Sequence, residues 1–300
     1  MLHISFHPAY NHPVPEGHRF PMLKYDLIAE QLVYEGTITE SNLILPSKIS
    51  ATDLLRTHDS TYKYKLDTCT LSSSEIRKIG FELTHALVYR EEVIMQGTID
   101  AAIAAVESGI GMNIAGGTHH AYKDHGEGFC LYNDIAIAAD YLLAHKLAKQ
   151  ILVVDLDVHQ GNGTAKIAEG RKNIFTFSMH GASNYPMFKE QSDFDIALPD
   201  KTEDSEYLKL LQENLLILID TVQPDHIFFQ SGVDILATDK LGKLTLTREG
   251  CKARDRFVLN TCKQYKIPVT ISLGGGYSEK ITDIVEAHCN TFRLAQAIYF

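Results

Sequence analysis

Residues 151–164 read ILVVDLDVHQGNGT: four apolar residues, then two aspartates and a histidine at every second position, then a glycine-rich turn. A short apolar run bounded by glycine and containing Ile151, Val153 and Val154 is the pattern of a strand buried on both faces. In an extended chain Asp155, Asp157 and His159 point to one side, while Leu156 and Val158 point to the other. Three charged or metal-binding groups therefore converge where the strand leaves the core. Uncompensated carboxylates there would be costly, and a cation is the economical compensation.

The pattern recurs. GMNIAGGTHH (111–120), IFTFSMHG (174–181), HIFFQSGVD (226–234) and VTISLGGGY (269–277) are further apolar runs that end in glycine and polar residues. Between the runs, Ile99, Ala102, Ile103 and Val106 repeat at helical spacing, as do Leu208, Leu211, Leu215 and Leu218. DIAIAADYLLAHKLAK (134–149) predicts a third helix, and Thr247 with Glu249 in the next turn predicts the cap of a fourth. The alternation implies an α/β fold: one three-layer domain over residues 1–300, with a mostly parallel sheet and helices on both faces. In such sheets the ligand crevice lies at the carboxyl ends of the strands, where each of these polar clusters falls.

With 300 residues and 45% hydrophobic content, the chain can bury a substantial core, and no linker, low-complexity tract or internal repeat divides it. Lysine and arginine total 28 against 38 acids, a net charge of −10. That balance argues against nucleic acid as a partner and suits cationic ligands. Five scattered cysteines (Cys69, Cys130, Cys251, Cys262, Cys289) include no CxxC pair, so neither a disulfide framework nor a cysteine zinc site is expected. The opening MLHISFHPAYNHPVPEGHRF has no charged start followed by an apolar segment, and no stretch reaches membrane-span length. The expectation is a cytoplasmic protein in a reducing compartment with no membrane span.

Asp157 and His159, joined by Asp234 of SGVD, supply two carboxylates and one imidazole. Three protein ligands leave an open position for water or substrate, as catalytic zinc sites do; a structural zinc site would be closed by a fourth. His119 and His120 end another run, and beside a metal they offer a general base and a general acid. The glycines of LGGGY permit close backbone approach, and Tyr277 sets a phenol where an oxyanion needs a donor.

Taken in order, GGTHHA (116–121), GEGFCLYNDIAIAA (126–139), DLDVHQGNGT (155–164), SMH (178–180), SGVD (231–234) and LGGGY (273–277) resemble the histone deacetylase family of zinc-dependent amidohydrolases. GHRFPMLKY (17–25) and RKIGFELTHALVYRE (77–91) are most similar to the class IV branch and its bacterial relatives. The resemblance implies a single arginase/deacetylase-like α/β domain. It implies that Asp157, His159 and Asp234 bind zinc, that His119 and His120 are the tandem catalytic histidines, and that Asp155 holds His119. It further implies a potassium site formed by Asp155 with backbone oxygens around Asp157, His159, Ser178 and Met179. Tyr277 would polarise the scissile carbonyl. Gly128, Phe129 and Gly275 would border the substrate, with Tyr185 or Phe188 as an opposite wall and Arg19 near the inner end of the pocket.

The chain departs from the family's best-studied branch at Asn162, where that branch has an aspartate supporting the second histidine; classes II and IV carry asparagine there. A neutral amide stabilises a charged His120 less than a carboxylate would, so His120 should be less basic. The implied substrate is an acyl-lysine protein or peptide, or a small acylated amine such as an acetylpolyamine, and the class IV likeness extends the expected acyl group to long fatty chains. An arginase-like dimanganese hydrolase is disfavoured because Gln160, Gly161 and Asn162, not further carboxylates, follow His159. A non-catalytic acyl-lysine reader is disfavoured because the tandem histidines, Tyr277 and all three zinc ligands are present.

Overall fold

The computed structural model describes residues 1–300. The strands are β1 (His3–Ser5), β2 (Leu43–Ile44), β3 (Ile110–Asn113), β4 (Ile151–Asp155), β5 (Ile174–Gly181), β6 (Phe194–Leu198), β7 (His226–Gln230) and β8 (Val269–Ser272). The helices are α1 (Lys24–Tyr34), α2 (Ala51–Leu54), α3 (Ser60–Asp67), α4 (Ser73–Ile79), α5 (His85–Ser108), α6 (Asp134–Ala144), α7 (Asn162–Ala168), α8 (Asp204–Val222), α9 (Arg248–Tyr265) and α10 (Ile281–Tyr299).

All eight strands join one sheet in the order β2-β1-β3-β8-β7-β4-β5-β6, and every neighbouring pair is parallel. Every residue of β3, β4, β7 and β8 is buried, as strands covered on both faces require. Helix α5 lies on β1, β3 and β8 and packs against α6, which meets α7; α1, α8, α9 and α10 pack side by side in a second helical layer. One hydrophobic cluster runs through all three layers. All five cysteines are free, and no helix is long and apolar enough to cross a membrane.

The sequence pattern shows the five central strands but not β1, β2 and β6. These include both edges of the sheet, where short or half-exposed strands leave little apolar signature. The third helix ends at Ala144 rather than 149, because Lys146 takes a left-handed backbone conformation and turns the chain toward β4. Thr247 caps α9 as expected, its hydroxyl accepting from the Gly250 amide at 2.9 Å.

Register aligns the strand ends. Asp155 is level with Ser178 and Gln230, and Ser272 with Gln230 and Asn113. The loops that follow β3, β4, β7 and β8 therefore rise side by side from one rim of the sheet, with the end of β5 beside them.

Candidate active site

Three buried side chains from two of these loops meet at one point. Asp157, His159 and Asp234 have donor atoms that all lie within 4.8 Å of one another. His159 Nδ1 is 3.1 Å from Asp157 Oδ1 and 3.1 Å from Asp234 Oδ2. Backbone amides orient the carboxylates: Gly275 N donates to Asp157 Oδ2 at 2.7 Å, and Val158 N to Asp234 Oδ1 at 3.0 Å. Gly275 has to be glycine here, since a Cβ would collide with the Asp234 carboxylate.

The donor set suits a divalent cation. Burial and the neighbouring Asp157 charge raise Asp234 to about 7. Burial opposes the charge on His159, but its hydrogen bonds to Asp157 and Asp234 outweigh burial and raise it to about 10. Two carboxylates and an imidazole thus retain a proton that a divalent cation would displace.

The tandem histidines stand beside this cluster with different supports. His119 Nδ1 is 2.6 Å from Asp155 Oδ2, and His120 Nδ1 is 2.6 Å from Asn162 Oδ1; the ring centres are 4.2 Å apart. Burial opposes the charge on His119, yet Asp155 outweighs it and raises the imidazole to about 9. Burial and the positive neighbours His119 and His159 push His120 well below the usual histidine range. Of the pair, His120 is the less basic imidazole. The loop carrying both is anchored by Asp134, which accepts from the Thr118 amide (2.8 Å), Thr98 Oγ1 (2.8 Å) and Ser272 Oγ (2.7 Å).

Tyr277 lies two residues after Gly275, its amide donating to Asp239 Oδ2 at 2.6 Å and its ring centre 6.4 Å from that of His159. Gly128 and Phe129, both at positive φ, form one wall; a Cβ on Gly128 would press on the His120 ring. Tyr185 lines the channel as well, edge-on to His120 with ring centres 4.9 Å apart. Phe188 is 92% exposed and lines no part of this channel. Ser178 and Met179 are buried in β5, with Ser178 level with Asp155 at the end of β4.

Arg19 is placed at the outer mouth rather than the inner end: it is exposed, with its guanidinium 5.7 Å from the centre of the Phe129 ring. The motif GHRF puts Arg19 one residue before Phe20, whose ring turns inward toward Phe129 and Tyr277, so its neighbour turns out. Lys24 is the cation buried behind the site, donating to the Gly274 carbonyl at 3.0 Å. Burial lowers it to about 8 against the pull of Asp234 and Asp157.

The sequence reading also missed Glu127. Asn162 Nδ2 donates to Glu127 Oε1 at 2.6 Å and to the Tyr122 hydroxyl at 3.0 Å, while the Tyr185 hydroxyl donates to the same glutamate oxygen at 2.7 Å. A carboxylate therefore stands behind the amide that holds His120. The only sequence signal was its place in GEGFC, one residue before Gly128.

The histone deacetylase domain family matches residues 18–292, and the chain belongs to that family. A protein of Picosynechococcus sp. described only as uncharacterised is 40% identical over 99% of each chain. Histone deacetylase 2 of Arabidopsis thaliana is 28% identical over 89% of this chain and 72% of its own. Acetoin utilization protein AcuC of Staphylococcus aureus is 25% identical, covering 92% and 74%. Among solved structures, the HD domain of HDA15 superposes with a TM-score of 0.82 over 96% of this chain and 89% of that one, at 22% identity, a likeness of fold.

Proposed function

We propose that the protein is a zinc-dependent deacylase that hydrolyses an acyl amide on a lysine-like amine, releasing a carboxylate and a free amine. The observation that carries this reading is the buried Asp157–His159–Asp234 cluster set beside the paired rings of His119 and His120. Asp157, His159 and Asp234 would hold the ion. Bound there, zinc supplies Lewis-acid polarisation of the amide carbonyl and acidifies water. His120 takes the proton of the attacking water and returns it to the departing amine nitrogen. His119, paired with Asp155, keeps a positive charge next to the reacting carbon. Tyr277 donates its phenol proton in a hydrogen bond to the carbonyl oxygen as negative charge develops there. Phe129 and Tyr185 enclose the alkyl stem of the amine.

Potassium beneath the site is part of the same reading. No hydrogen-bond donor reaches the backbone oxygens of Asp157 or His159, although both residues are buried, which supports a cation shared with Asp155, Ser178 and Met179. The inner cavity between His120, Tyr277 and Arg90 measures about 40 Å³. A cavity that admits benzene measures about 150 Å³, so this smaller space supports an acetyl group over the long fatty chains the class IV likeness implied.

The test is turnover of acetyl-lysine peptides and acetylpolyamines by zinc-loaded protein, with Tyr277→Phe and His120→Ala alongside. Peptide hydrolysis that falls at least a hundredfold in both variants and disappears on chelation, with one zinc bound per chain, is expected. Full zinc occupancy without turnover of any amide would refute it.

A further inference from the structure

The channel opens outward into a mouth of about 280 Å³ that continues from His120, His159 and Tyr277 to the surface. Arg19, Arg77, Lys78 and Lys243 line this mouth, and no aspartate or glutamate does. Acids outnumber bases 38 to 28 in the chain, so a rim holding four cations and no acid runs against the composition.

The rim cations are free of acidic partners. None of the four lies within 4.0 Å of a carboxylate oxygen, whereas Arg254 and Arg293 elsewhere are paired at 2.7 Å or closer. Lys243 Nζ rests on the Ser183 carbonyl and hydroxyl at 3.1 and 3.0 Å, which directs it to the mouth without neutralising it. Lys189 donates to the carbonyls of Asn184 and Pro186 at 2.5 and 2.6 Å, adding positive charge beneath the same loop. The nearby carboxylates are engaged from behind: Glu127 by Asn162 and Tyr185, and Asp200 by the Ser183 hydroxyl.

The acyl group enters the small inner cavity, so the amine half of the substrate lies in this mouth. We propose that this half carries an anionic group, a carboxylate or phosphate, close to the scissile amide. The inference rests on the deacylase reading and names its substrate class: an acyl-lysine in an acidic setting, or a small acylated amino acid, rather than a polyamine or a lysine-rich tail. The overall negative charge suggested cationic ligands; the charged side chains that line the mouth have the opposite sign, and local charge steers what enters.

Acetyl-lysine peptides of one length, flanked by glutamates, alanines or lysines, are compared by kcat/KM with free Nε-acetyl-lysine and acetylspermidine. Glutamate-flanked peptides should exceed alanine-flanked ones about tenfold at low salt, with lysine-flanked peptides and acetylspermidine slowest. The preference should collapse near 0.5 M salt, where the Debye length is only about 4 Å. If free Nε-acetyl-lysine matches the acidic peptides, the anion is the amino acid's own carboxylate; if only the peptides are fast, it is a flanking acid. In Lys78→Glu/Lys243→Glu the order should invert, and a ratio taken within one variant is independent of how much of it folds.

A charge-blind ranking, or a preference for lysine-flanked peptides or acetylspermidine, would overturn the inference while leaving the deacylase in place. Fluorescence anisotropy with the same peptides separates the remaining case. Charge-selective binding without hydrolysis of any amide would refute the deacylase reading and keep the anionic preference of the mouth.

Discussion

His120 meets an amide where a carboxylate would hold it more tightly, yet that amide cannot turn. Its oxygen faces His120 Nδ1 at 2.6 Å while its nitrogen is fixed by Glu127 and Tyr122. The arrangement sets His120 Nδ1 as donor and leaves Nε2 as the acceptor that a general base needs. Asn162→Asp alone would set two carboxylates against each other at the present 2.6 Å contact. With Glu127→Gln added, one carboxylate remains and lies directly on His120. Its charge should raise the pKa of His120, and because the base acts deprotonated, the acid limb of the kcat/KM pH profile should move up by about one unit. An unmoved limb in the double variant would show that His120 is not the titrating base.

Helix α9 carries a support that acts through backbone. Arg254 is fully buried, paired with Asp255 at 2.7 Å, and donates to the carbonyls of Leu156 (3.1 Å) and Gly232 (2.5 Å), the residues just before Asp157 and Val233. Asp255 is held in turn by Thr291 Oγ1 of α10 at 2.7 Å. The helix thereby fixes the two loops that supply the acidic cluster. Arg254→Met strands a buried carboxylate and two carbonyls, and should cost about 3–5 kcal/mol in urea unfolding. Arg254→Met/Asp255→Leu should recover part of that loss, because no charge is then left unpaired. In the sequence, nothing marks the adjacent Arg and Asp of KARDRF as buried; only the fold shows it.

At the scale of the whole molecule, the site is a channel with two ends of different character. The inner end is small and enclosed by Tyr25, Arg90 and Ile94; the outer end is wide and cationic. Chain length of the acyl group should therefore be read by the inner cavity, with kcat/KM falling steeply from acetyl- to decanoyl- to myristoyl-lysine at constant peptide sequence. Equal rates for acetyl and myristoyl would mean that the inner wall opens during turnover.

The five apolar runs, each ending in glycine and polar side chains, were enough to read a parallel sheet and to collect Asp157, His159, Asp234, His119, His120 and Tyr277 at one rim. Periodicity and strand ends are local properties, written within a few residues of each other. Glu127 behind Asn162, Lys24 behind Gly274 and Arg254 beneath two loops join residues 22 to 250 positions apart, and the acid-free mouth is likewise assembled from distant segments. Charged side chains carry no mark in sequence of whether they face water, a carbonyl or the reacting centre. Their surroundings are set only when the sheet brings distant loops together and excludes the solvent that would otherwise screen them.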